Sequence, residues 1–285
     1  MSFLDEVLTV ARYELSGLFG ARGALVLAGY GTVSLGAGGS VLFIAREITA
    51  KLEGSQVLDP ATAKQQILAE LAKPELKDKV APLLSWLRAE GIFDEVVQGR
   101  MPWLVAFVLL FSTFVLSGLV FLAVHDRIAS DLTTGFSRYI FLRVRRESYL
   151  LGKLAGAWAG IMAIVVLVHV ALLVVAGSTQ GVDIAEIVPV LPKVWLGLGI
   201  LVLGYCSVTL GASALLGRPF AVLALGSTLL FILWIASFSS TVRAVWMGNW
   251  DIGLLALDLS AVGVFLAHSV VGLGLAWWGI ARRDI

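Results

Sequence analysis

Residues Leu150–Ala176 read LLGKLAGAWAGIMAIVVLVHVALLVVA, and Lys153, near the start, is the single formal charge in the run. A hydrocarbon layer about 30 Å thick takes roughly 20 apolar residues in helical form. In lipid, backbone N–H and C=O groups must pair within their own segment, so the run reads as a transmembrane helix. Working outward, five similar runs follow: Ala24–Ala45, Trp103–Val124, Val194–Leu216, Pro219–Ser237 and Leu257–Ile280. Between the fourth and fifth stand only Gly217, Arg218 and Pro219. Arg218 resists the bilayer centre and Pro219 suits a helix start, so two helices joined by a tight turn are expected.

Composition agrees. The 285 residues are 59% hydrophobic and 14% charged, whereas an ordinary soluble domain is about half apolar and about a quarter charged. A net charge of +1 makes no bulk electrostatic case for nucleic acid as a partner. The single cysteine, Cys206, excludes an intramolecular disulfide and a cysteine-cluster metal site. Asp5, Glu6, Arg12 and Glu14 interrupt any signal-peptide pattern, so the first apolar run is expected to stay as an anchor.

Orientation follows from the basic residues of the short links. The link between the second and third runs holds Arg127, Arg138, Arg143, Arg145 and Arg146, with Lys153 at the next span's entrance. Arg218 lies in the fourth link, and Arg282 and Arg283 lie in the tail. The intervening links are nearly free of basic residues, so both termini are expected in the cytoplasm of a multi-pass protein of the cell (inner or plasma) membrane. The long segment 46–102 is then external despite eight basic residues; long loops cross with weaker regard to charge.

The expected layout is an all-α integral membrane protein with one membrane domain. An interfacial helix over 1–23 precedes spans at 24–45, 103–124, 150–176, 194–216, 219–237 and 257–280. An external helical loop covers 46–102, a cytoplasmic link 125–149, an external re-entrant segment 238–256 and a cytoplasmic tail 281–285. In the loop, Ala61–Ala72 and Glu75–Ala89 show helical spacing; they read either as a cap over a substrate path or as a hairpin packed on the span ends. Over Phe3–Phe19, Leu4, Val7, Leu8, Ala11, Leu15 and Leu18 share one face and the charged residues lie mainly elsewhere. That pattern suits a helix in the membrane interface, a docking surface for a protein, or both. Trp246, Met247 and Trp250 interleave with polar residues, as in an interfacial segment that lines an exit path or anchors the bundle.

Glycines mark the packing. Gly152, Gly156 and Gly160 recur every fourth residue, a smooth ridge that lets another backbone approach, within the chain or across a dimer. Gly197, Gly204 and Gly211 recur every seventh. Ionisable groups inside the spans are sparse: His169, His268 and, near an end, Asp258. Either histidine reads as a hydrogen-bonded packing residue or as a metal or proton site. With no His-Glu-x-x-His motif, no paired carboxylates in a span and no serine clearly beside a base, catalysis is disfavoured. No catalytic or metal-binding residue is assigned, and no cofactor is expected in this chain.

The link itself reads His125-Asp126-Arg127-Ile128-Ala129-Ser130-Asp131-Leu132-Thr133-Thr134-Gly135, then Arg138, Arg143 to Arg146, and Tyr149-Leu150-Leu151-Gly152-Lys153. It resembles the type-2 export class of ATP-binding-cassette (ABC) permeases. There an acidic residue, a threonine-glycine pair, a short helix and a basic segment precede a Tyr-x-x-Gly-Lys-like entry to the third span. Ala11-Arg12-Tyr13-Glu14-Leu15 is similar to that family's interfacial helix, and the Arg282-Arg283-Asp284-Ile285 tail to its usual ending. The long first loop departs from the plainest members. The resemblance implies a permease subunit of an exporter that pairs with a second copy or a similar chain. Two cytoplasmic ABC ATPase subunits, holding ATP and Mg, would dock on the link through Asp131, Gly135, Arg138, Arg143 and Arg146, with Glu14 contributing. No Gly-x-x-x-x-Gly-Lys-[Ser/Thr] loop exists in the chain, so any ATP hydrolysis belongs to a partner. The competing readings are an ATP-independent secondary transporter or channel, a membrane-embedded enzyme and a scaffold.

Overall fold

The computed structural model describes residues 2–18, 20, 23–36, 38–39, 73–75, 78, 81, 90–98, 101–178, 184–236, 241, 247, 253–254 and 257–283. Every element among them is helical: α1 (Phe3–Leu18), α2 (Gly23–Gly36), α3 (Glu90–Val97), α4 (Trp103–Val124), α5 (Arg127–Thr133), α6 (Phe136–Phe141), α7 (Arg146–Gly177), α8 (Ile184–Ile187), α9 (Leu191–Leu216), α10 (Pro219–Ala236) and α11 (Leu259–Ala281). Among the described residues four stretches are long and apolar enough to cross a membrane: Val108–Thr133, Arg146–Gly177, Ile184–Leu216 and Leu259–Ala281. Six had been expected. α2 and the apolar part of α10, Pro219–Leu229, are shorter helices that fall on the other two expected spans. Positions 37 and 40–45 of the first span lie outside the described residues, as do the 61–72 helix and nearly all of 76–89 and 238–256. α3, placed just beyond the last helix read in the loop, carries Phe93, Val96 and Val97 on one face.

α9 is the central helix. It packs on α4, α5, α7, α10 and α11, and its most extensive partner is α11. The two approach at glycines from both sides: a Cβ on Gly211 would lie 2.7 Å from the Gly272 carbonyl oxygen, and one on Gly272 2.6 Å from the Ser207 carbonyl carbon. Backbone-to-backbone contact of this kind is what small residues permit where lipid supplies no hydrophobic drive. On the outside, Leu167, Val170 and Val174 of α7 and Leu266, Val270 and Val271 of α11 are exposed. In water such faces would be a liability; in a bilayer they meet hydrocarbon. Asp258 is explained locally: it precedes α11, and its carboxylate accepts the Ser260 N–H at 3.0 Å, a helix N-cap.

One end of the bundle is tied together by polar contacts. Ser213, in the last turn of α9, accepts N–H groups from Ile128 (3.2 Å) and Ala129 (2.9 Å) at the start of α5, donors that have no partner within their own helix. Arg283 donates to the Ala214 and Leu215 carbonyls at 3.3 and 3.2 Å, and Arg146 to the Ala281 carbonyl at 3.3 Å. Cations at helix C-termini are favourably placed. Thus the link, the α7 entrance, the ends of α9 and α11, and their arginines share one end of the molecule.

Candidate functional site: a buried charge cluster behind an exposed link

Helical spacing sets the cluster. On α5, Arg127 and Asp131 are four residues apart, as are Tyr149 and Lys153 on α7 and Val10 and Glu14 on α1, so each pair shares a face. The three faces converge. The Glu14 carboxylate accepts from Arg127 Nη1 at 2.8 Å and from Lys153 Nζ. Lys153 also pairs with Asp131 Oδ2 at 2.7 Å and donates to the Arg127 carbonyl at 3.1 Å, so all three of its N–H donors are used. Tyr149 donates its hydroxyl to the same Asp131 oxygen at 2.7 Å, and the Lys153 ammonium stands 5.3 Å from the Tyr149 ring centre. Arg127 Nε donates to the Ala123 carbonyl at 3.2 Å.

Two cations balance two carboxylates, and the cluster is buried: Glu14 is 2% exposed and Lys153 3%. Buried ions are tolerable only when paired and hydrogen-bonded. α1 can reach the cluster because of the glycine ridge on α7. A Cβ on Gly156 would lie 2.5 Å from Glu14 Cβ and 2.6 Å from the Ala11 carbonyl oxygen; one on Gly152 would lie 2.5 Å from Val10 Cβ. The ridge at Gly152 and Gly156 thus receives α1, and Gly160, next in register, is also buried. A second carboxylate on α1 repeats the device. Glu6 accepts the Arg145 backbone N–H at 3.1 Å, at the threshold of α7, where a helix N-terminus favours negative charge. That N–H, followed by the Ser148 hydroxyl, holds the Glu6 carboxyl below its usual range.

The buried face of α1 is therefore Glu6, Val10 and Glu14, while the apolar Phe3, Leu4 and Leu8 are exposed. The sequence reading assigned Glu14 to partner docking. Inside this fold it is an internal strut between α5 and α7. Asp131, 13% exposed, holds α5 from the same side.

Beyond α5 the chain turns at Gly135, whose φ of +73° is the left-handed conformation that glycine adopts freely. The short α6 and its exit then present Phe136, Arg138, Tyr139, Leu142 and Arg143 to the outside. Tyr139 is 70% exposed and Leu142 83%. Tyr13 of α1 extends this face, its ring 6.0 Å from that of Phe136. Arg146 is half-buried, its guanidinium 5.8 Å over the Phe141 ring. Of the residues assigned to docking, Arg138 and Arg143 are thus free at the surface, Gly135 shapes the turn, and Arg146 supports α6 from behind. Tyr139 and Leu142, not among the expected docking residues, are exposed on the same face as Arg138 and Arg143. Their three-residue spacing inside a basic stretch is visible in the sequence.

Deeper in the spans, Tyr30, Ser112, His169 and Trp195 join α2, α4, α7 and α9. Trp195 Nε1 donates to His169 Nδ1 at 3.1 Å. An indole nitrogen only donates, so this histidine is neutral with its proton on Nε2, which reaches the Tyr30 oxygen at 3.0 Å. The Tyr30 hydroxyl is then free to donate to Ser112 Oγ at 2.9 Å. His268 donates to the Val264 carbonyl at 2.8 Å on its own helix. No group of three or more His, Cys, Asp or Glu able to hold a metal occurs among the described residues.

No family model matches the chain, and no curated protein is significantly similar to it in sequence. The class that the fold defines is a multi-pass α-helical membrane protein.

Proposed function

We propose that the chain is the permease subunit of an ABC exporter, paired with a second copy or a similar chain and driven by two cytoplasmic ATPase subunits that hold ATP and Mg. The observation that carries this reading is the buried cluster behind the exposed link. Glu14, Arg127, Asp131 and Lys153 join α1, α5 and α7 so that a push on α6 is delivered to a helix 32 residues long. The surface that receives the push is Arg138, Tyr139, Leu142 and Arg143: aromatic and aliphatic anchors flanked by arginines, a composition suited to an apolar pocket with an acidic rim. The arginines gathered at this end support a cytoplasmic location for it under the positive-inside rule. In that frame α1 runs beside the first turns of α7, with Glu6, Val10 and Glu14 against it and Leu4 and Leu8 on its exposed face. The transported molecule is not specified by these features.

The test is affinity purification of the tagged chain from its native membranes. A soluble protein with a phosphate-binding Gly-x-x-x-x-Gly-Lys-[Ser/Thr] loop should co-purify. Substitution Y139A/L142A should lower its recovery by about tenfold or more, as loss of interface anchors does, while the folded membrane chain is recovered unchanged. Charge reversal at Arg143 should uncouple ATP hydrolysis from transport. Ion-driven transport by the purified chain alone would instead establish the secondary-transporter reading.

A further inference from the structure

We propose that the arginines where α9, α10 and α11 meet bind the phosphate of an anionic bilayer lipid. α9 is capped by Gly217, whose φ of +64° is left-handed, and α10 starts at Pro219. Arg218 stands in that turn, and the end of α11 brings Arg282 and Arg283 to it. A Cβ on Gly217 would lie 2.5 Å from Arg283 Nη1, so a side chain there would strike the guanidinium. Arg282 Nη2 and Arg283 Nη2 both donate to the Leu215 carbonyl at 3.2 Å. The guanidinium groups of α11 are thus drawn to the same helix end that carries Arg218. Among the described residues, none of the three arginines forms an ion pair. Glu147, which reaches this end of α11, accepts the Trp277 indole N–H at 3.4 Å instead. Arg218 and Arg282 are exposed. A guanidinium carries five N–H donors, so Arg282 keeps donors for an outside acceptor after serving Leu215. Phosphate oxygens suit that planar fork, which binds them in pairs.

The surface below the arginines favours a lipid over an acidic protein. Val271, Leu275, Trp278 and Arg282 follow one another at four- and three-residue spacing, so they share one face of α11, and all four are exposed. The Arg282 guanidinium lies 4.6 Å from the Trp278 ring centre, a cation–π contact that fixes it at the head of this strip. α11 is long and apolar enough to cross a bilayer, and indole rings favour the headgroup boundary. A diacyl lipid matches that order: phosphate on Arg218 and Arg282, glycerol beside Trp278, one chain along Leu275 and Val271. An acidic protein would meet the arginines and leave the strip unused. Each arginine near a membrane surface strengthens attraction to anionic lipid about fivefold. The inference rests on the membrane fold alone, independently of any ATPase.

The test reconstitutes the full chain in phosphatidylcholine nanodiscs holding a minor fraction of a photoreactive lipid. The probe is either phosphatidylglycerol or phosphatidylcholine, each with the same diazirine on the upper part of one acyl chain. After irradiation, cross-links are mapped by mass spectrometry. Trp278 and Leu275 should be labelled about tenfold or more in favour of the anionic probe. Val174, exposed at the other end of α7, should take both probes equally. R218Q, whose side chain ties no other element, should lower the preference about fivefold, and R218Q/R282Q should remove it. R138Q/R143Q, which takes the same charge from the exposed link, should leave it unchanged. Equal labelling of Trp278 and Leu275 by the two probes overturns the proposal, even if a preference emerges once D284N removes the acid of the tail. So does a preference that survives R218Q/R282Q, or one that falls equally in R138Q/R143Q, the mark of a diffuse field. None of these outcomes bears on the permease reading, since no nucleotide or partner takes part.

Discussion

Lys153 stands at the entrance of an apolar helix, and by sequence alone it serves to set orientation. In the structure it is the hub of the charge cluster, its ammonium shared by Glu14, Asp131 and the Arg127 carbonyl. Removing one member of such a buried set strands the others, which costs about 3–5 kcal/mol. K153M should lower stability by that amount in an equilibrium unfolding measurement in mixed micelles. E14Q/K153M should cost less than the sum of its single substitutions. Arg127 and Asp131, four apart on α5, are then left to pair with each other, and the shortfall from additivity measures the coupling. Glu6 has a pH signature. Its folded carboxyl titrates below the usual value of 4.5, held there by the Arg145 N–H and then by the Ser148 hydroxyl. Its contribution is therefore present above about pH 4.5 and is lost as pH falls through the folded value. Stability measured against pH should show wild type and E6Q converging on the acid side.

At the scale of elements, the placement of α1 depends on the missing side chains of α7. Gly152 and Gly156 leave a trough in which Val10 and Glu14 sit against backbone. G156L should expel α1 while α7, held by its own ladder and by α9, persists. A cysteine at buried Val10, in a background lacking Cys206, should react with maleimide about tenfold faster or more in G156L, as local opening predicts. Equal rates in the two backgrounds would show that α1 is held by something other than the ridge. The fourfold glycine spacing was visible in the sequence. That its partner is α1, rather than another span or a second copy, was not, because spacing describes a surface and not what lies on it.

For the whole molecule, the α9–α11 seam and the common polar end decide the architecture. At the seam a side chain on Gly272 meets backbone, which cannot swing aside, whereas one on Gly274 meets nothing within 4 Å. G272L should therefore destabilise by about 1–3 kcal/mol or more through overpacking, and G274A should change little in the same thermal assay. Orientation is tested at Tyr139, the most exposed aromatic residue of the link. In the C206A background, Y139C should react with an impermeant thiol reagent in inside-out vesicles and stay unlabelled in intact cells. Labelling from outside would reverse the topology and remove the ATPase reading with it.

Much of the fold was legible because a bilayer imposes a one-dimensional rule: a long apolar run must be a helix. The helices Trp103–Val124 and Arg146–Gly177 begin and end within a few residues of the runs seen in the sequence, and Pro102 and Gly217 mark boundaries for local steric reasons. The charged residues were less legible. Glu14, Arg127, Asp131 and Lys153 are separated by as many as 139 positions, and nothing in local spacing says that the first helix, a link and a span entrance share one buried cluster. Nor could spacing tell which residues of the link stay outside: Asp131 turned inward and Leu142 outward. That division depends on which faces of three helices meet, and only the tertiary packing decided it.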